Sequence, residues 1–187
     1  VAVSDELFKN PWSIDAMRWQ PDSSAFTFRY NQRGHAVMRV VTLDPKTGTA
    51  KPLINDDYGT FFDYSNKSLL TFVKEKNEII WMSERSGWNH LYLINAKSGK
   101  VINPITKGKW LIKRVLDIDE EKRLIWFQAM GAYANQNPYH VHFGRVKFDG
   151  TGLTWLTAGD GTHEIQYAPD RKTIIDTYSR VDMPQVH

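Results

Sequence analysis

The chain has 187 residues, no cysteine and 41% hydrophobic residues, which suits a globular protein with its own core and excludes disulfides and thiolate metal sites. Its net charge of +3 comes from Lys and Arg interspersed with Asp and Glu rather than from a basic block, so no nucleic-acid partner is expected. No apolar run reaches the ~18 residues of a membrane span, so no span is expected; the start, VAVSDELFKN, has no charged n-region followed by an apolar stretch, so any export signal is expected to have been removed or to lie outside this sequence.

Aromatic residues make up 13% of the chain and favour pleated sheet over helix. The first unit, MRWQPDSSAFTFRY (17–30) followed by DPKTGTAKPLI, predicts a four-stranded antiparallel blade over 12–55. Residues 56–66, DDYGTFFDYSN, fit no blade cleanly, and an extra strand is expected near 60–65. A second blade is expected over 60–108, from LTFVKEKNEIIWMS to NAKSGKVINPIT. At its centre lies WMSERSGWNHLYL (81–93). A two-residue Ser86-Gly87 loop there would set Ile80 against Leu93, Trp81 against Tyr92, Met82 against Leu91 and Ser83 against His90, with Arg85 over Trp88.

A third blade is expected over 110–159, from KRVLDIDEEKRLIWFQ to FDGTGLTWLT. Its turn carries the adjacent Glu120 and Glu121, best taken as a solvated hairpin tip. In YHVHF, His140 and His142 share one face of an extended strand, a spacing that can serve a metal pair. No third ligand follows, so structural histidines and no metal are expected. IQYAPDRKTIIDTY begins a half blade over 162–187 with about two strands.

The four anchors Trp19, Phe72, Val115 and Tyr167 stand 53, 43 and 52 residues apart, the period of propeller blades. Runs such as EIIWM and RLIWF are apolar on both faces, as strands in stacked sheets are. The fold class expected is therefore all-β, a partial β-propeller of four-stranded antiparallel blades. A propeller of this count leaves raw edges, so self-association through exposed blade edges is expected as well.

The ordered series SERSGWNHLYL, ITKGKW, PYHVHFGRVKFDGTGLTWLT, H-x-x-x-x-APD and DTYSRVDMP resembles the later propeller blades of the dipeptidyl peptidase IV family, in the prolyl oligopeptidase superfamily, and most of all its bacterial members. The resemblance implies an eight-bladed propeller that caps an α/β-hydrolase domain carrying Ser, Asp and His. It also implies release of N-terminal dipeptides after Pro or Ala, with no cofactor, in the periplasm or cell envelope. The family's amine-binding glutamates lie upstream of the matched region, and none is assigned here. TFFDYS (60–65) approximately matches a place from which family members direct aromatic and charged side chains into the shared cavity. Phe62 and Tyr64 share a face if that piece is extended, which makes them candidate peptide contacts beside the alternative that they are core.

A serine hydrolase needs its nucleophile on a sharp turn flanked by small residues, and no G-x-S-x-G occurs among the ten serines. The chain alone is therefore expected to be non-catalytic. Its expected partners are a peptide substrate and the hydrolase domain of a parent chain. A free-standing propeller scaffold for protein contacts is the alternative.

Overall fold

The computed structural model describes residues 1–74, 76–170 and 172–187; Glu75 and Arg171, in the turns expected for the second and fourth units, lie outside the described residues. Among the described residues there are fifteen strands and no helix. The first sheet comprises β1 (Pro11–Trp19), β2 (Phe26–Gln32), β3 (Val37–Leu43) and β4 (Ala50–Asp57). The second comprises β5 (Leu70–Val73), β6 (Glu78–Ser83), β7 (His90–Asn95) and β8 (Val101–Pro104). The third comprises β9 (Leu111–Asp119), β10 (Leu124–Met130), β11 (Val141–Lys147) and β12 (Thr154–Trp155). The fourth comprises β13 (Thr162–Tyr167), β14 (Ile174–Arg180) and β15 (Met183–Val186). In every sheet the strands lie side by side in chain order and antiparallel.

Sheets stack face to face, as the doubly apolar strands require. Alternate residues of β6 and β7 separate into two cores. Ile79, Trp81, Tyr92 and Ile94 pack with Met38, Val40 and Ile54 of the first sheet. Ile80, Met82, Leu91 and Leu93 pack with Ile112, Ile125, Phe127 and Val146 of the third. The second sheet is thus buried on both faces, whereas the outer face of the first is covered by the chain's opening residues through Leu7 and Phe8.

Three local expectations change. Residues 60–65 form no strand. Tyr64 N–H donates to Phe62 O at 2.9 Å, Lys67 N–H to Asp63 O at 2.9 Å, and the Asp63 carboxylate accepts Ser65 Oγ at 2.9 Å. These local bonds curl the segment through the turn chemistry of Asp and Ser, and aromatic content alone could not keep it extended. The last unit has three strands rather than two, because the chain reverses after Arg180 and Met183 pairs back on it. In the central hairpin the four expected pairs from Ile80–Leu93 to Ser83–His90 are present. Its turn is longer than two residues, though: Gly87 N–H bonds Glu84 O at 2.8 Å with Gly87 at φ 84°. Arg85 then leaves Trp88 and lies over Tyr92, 5.0 Å from the ring centre.

Candidate functional site

Antiparallel order puts the β2–β3, β6–β7 and β10–β11 turns at one end of the stack, together with the segments that link one sheet to the next. Loops on a rigid scaffold are where binding groups concentrate. Two adjoining constellations occupy this end between the first and second sheets.

The first is built on Asp56, the penultimate residue of β4 and buried. Its Oδ2 accepts Trp81 Nε1 at 2.6 Å and the Tyr58 hydroxyl at 2.7 Å, and its Oδ1 accepts Arg85 Nη2 at 2.7 Å. Ser83 Oγ lies 3.0 Å from the Tyr58 hydroxyl and accepts Arg85 Nε at 3.1 Å. A buried carboxylate with charge-assisted donors on both oxygens ties the end of the first sheet to the central hairpin of the second. Burial, and then the Asp56 charge, push the Tyr58 phenol well above its ordinary range, so it acts as a fixed donor and not as a base. Above this hub opens a polar cleft of about 700 Å³, lined by Asp57, Thr60, Glu84 and Arg85 among others.

The second constellation is aromatic. Tyr64 stacks on His35 with centroids 3.8 Å apart, Trp12 meets the same imidazole edge-on at 5.1 Å, and Phe61 does so at 5.6 Å. The Arg33 guanidinium stands 5.3 Å from the Trp12 ring. Phe61 is 66% exposed and Trp12 49%, so both offer apolar face to solvent. Of the two expected contacts, Phe62 turns inward into the core between the first two sheets, while Tyr64 is half-buried against the same core with its ring on His35. The local turn inverts the faces, which makes Phe61 the outward residue. Trp12 and His35 were missed because their partners lie far away in the chain.

Elsewhere at this end the histidines repeat an arrangement. Thr106 Oγ1 sits 3.0 Å from His90 Nδ1 and accepts Leu91 N–H, while His90 Nε2 reaches Gly108 O. Thr157 Oγ1 sits 3.3 Å from His142 Nδ1 and accepts Phe143 N–H, while His142 Nε2 reaches Gln136 Oε1. The signal in the sequence is a His at the first or second position of a strand, His90 in β7 and His142 in β11, followed by I-T-x-G or L-T-x-G at the close of the blade. His140 lies 3.2 Å from Asp160. Among the described residues no group of three His, Asp or Glu is arranged to hold a metal. Glu120 takes part in a contact between sheets, accepting Lys74 N–H at 2.7 Å, while Glu121 stays exposed in the turn.

The sequence profile of the dipeptidyl peptidase IV (DPP IV) N-terminal region matches residues 1–185. The chain belongs to this family. Among curated relatives, dipeptidyl peptidase 4 of Trichophyton rubrum is 40% identical over 84 residues, which cover 45% of this chain and 10% of the relative. The probable dipeptidyl peptidase 4 of Aspergillus flavus is 44% identical over 46 residues, covering 25% of this chain and 6% of that protein. Among crystal structures, Porphyromonas gingivalis dipeptidyl peptidase 4 superposes with a TM-score of 0.63 at 19% identity, over 90% of this chain and 23% of that one. A putative dipeptidyl aminopeptidase IV from Bacteroides ovatus gives 0.65 at 18% identity, over 92% and 26%. These likenesses establish the all-β fold of this dipeptidyl peptidase IV N-terminal region, which spans only about a quarter of those two structures.

Proposed function

We propose that this chain is the non-catalytic propeller portion of a dipeptidyl peptidase IV-like serine peptidase. In the parent protein it restricts access and positions peptides for a separate α/β-hydrolase domain, which releases N-terminal dipeptides after Pro or Ala. The observation that carries the reading is the family match across residues 1–185. The loop-end cleft supports the positioning role, because exposed Phe61 and Trp12 offer apolar faces to an extended peptide beside the charged rim of Glu84 and Arg85. Tyr64 contributes through the edge of its stacked ring, whereas Phe62 shapes the site from beneath. The parent is placed in the family's bacterial branch on the likeness of the whole ordered series, and with it in a periplasmic or cell-envelope setting. Self-association through the open sheet edges belongs to the same reading.

The test is an assay of this chain on an Ala-Pro or Gly-Pro chromogenic amide, beside titration of a proline-containing peptide followed by tryptophan fluorescence. No hydrolysis is expected, with weak binding that Phe61→Ala and Trp12→Ala reduce. Hydrolysis by the chain alone would overturn the non-catalytic role, and binding unchanged in both variants would remove the loop-end cleft from the proposal.

A further inference from the structure

Where β11 meets β13, at the loop end of the stack, three histidines gather with two carboxylates and an arginine. The His142 and His163 rings are both buried and lie 4.8 Å apart. His163 Nδ1 is 2.8 Å and 3.0 Å from the two Asp176 oxygens, its Nε2 is 2.7 Å from Gly159 O, and its other face stacks on Tyr178. Both partners are acceptors for the ring's N–H groups. Asp160 is shared between Arg180 and His140.

His142 has a different set of partners. The Thr157 hydroxyl accepts Phe143 N–H, which leaves its own proton to donate to His142 Nδ1, while Nε2–H donates to Gln136 Oε1. That set fits a neutral ring with its proton on Nε2. We propose that this junction is an acid-sensitive latch: protonation of His142 opens it and frees β13–β15 from β11, while the first three sheets stay closed.

The groups that face His142 determine the sign. From β13 comes His163; from β14 Asp176, already engaged with His163, and Tyr178 behind it. From the approach to β11 comes His140, and from the loop before it Tyr133, whose ring meets the imidazole edge-on at 4.9 Å, and Gln136. The segment after β12 supplies Thr157, and Asp160 through His140. A proton on Nδ1 collides with the Thr157 hydroxyl proton and sets a cation against the His163 ring, whose partner Asp176 already has both oxygens engaged. Burial first, then the charges of His163 and His140, push His142 down to about 4.

The closed state therefore excludes a proton that the open state binds from about pH 6.5. The latch holds fully above that pH and weakens progressively as pH falls towards 4. His90, the equivalent residue one sheet earlier, provides the contrast. Burial lowers it too, but the ring against it is the Trp110 indole rather than a second imidazole.

Hydrogen exchange resolved by sheet, on the intact chain at pH 7.5 and pH 4.5 and corrected for intrinsic rates, tests the latch. Protection of β13 and β14 is expected to fall about fiftyfold while that of β6 and β7 changes by less than about threefold. In His142→Asn the selective loss should vanish. Gln136→Glu, which sets a carboxylate on Nε2 and lets the closed state hold the proton, should cut it below about tenfold. Loss spread evenly over all sheets, or the full selective response in either variant, overturns the proposal. Should His142→Asn fail to fold, the contrast between sheets in the unaltered chain and the Gln136→Glu response decide it.

Discussion

At the scale of single residues, Asp56 governs the loop end. Its carboxylate satisfies the Trp81 indole, the Tyr58 phenol and the Arg85 guanidinium together, and both oxygens are used. Removing it leaves buried donors unpaired, a larger loss than any one of the bonds represents. Asp56→Ala is expected to cost about 3–5 kcal/mol in urea unfolding. Arg85→Ala, which strips only the partly exposed partner, should cost about 1–2 kcal/mol. Equal costs for the two would show that Arg85, and not Asp56, is the centre of the network. None of this was legible in the segment INDDYG, since a carboxylate at a strand end is ordinarily solvated. Two of its three donors stand 25 and 29 residues away, on β6 and in the turn that follows it, and only the stacking of sheets brings them to Asp56.

At the scale of elements, the sheets approach each other through their turns as well as their faces. Gly99, in the β7–β8 turn, has φ 69°, and a Cβ added there would stand 1.8 Å from the Leu53 carbonyl oxygen of β4. Both the left-handed backbone and the contact exclude a side chain. Gly99→Ala is expected to destabilise by about 2–4 kcal/mol, whereas Gly87→Ala, equally left-handed but with open space around it, should cost only about 1 kcal/mol. Similar midpoints for the two in urea would refute the close approach. The hairpin register was legible because Ile80, Trp81 and Met82 and their partners Leu91, Tyr92 and Leu93 leave little choice of pairing once Ser-Gly marks the turn. The extra strand expected at 60–65 does not form, for the converse reason. Its aromatic residues suit a strand, but Phe62 N–H bonds His35 O across the β2–β3 turn, and the Asp63 side chain closes a turn of its own. The repeated His–Thr pairs are not legible in the sequence, because separations of 16 and 15 residues mean nothing until the blade is folded.

At the scale of the whole molecule, the two outermost faces of the stack differ. The outer face of the first sheet, with Phe28, Tyr30, Val37 and Val41, is covered by residues 1–10, with Phe8 edge-on to Phe28 at 5.3 Å and Arg39 bonded to Leu7 O. The far face of the fourth sheet carries Glu164, Gln166 and Thr177 around Ile175, which is 60% exposed on the middle strand. An exposed face beside unpaired strand edges invites association, and polar neighbours keep it weak. Light scattering over a concentration series is expected to show a mass rising from monomer towards dimer, with Ile175→Lys held at the monomer. Removing residues 1–10 uncovers a second, more apolar face and should give larger assemblies and a lower unfolding midpoint. A monomer at every concentration would mean that the polar rim outweighs Ile175, and an unchanged midpoint after the deletion would mean that Leu7 and Phe8 only rest on the first sheet without stabilising it.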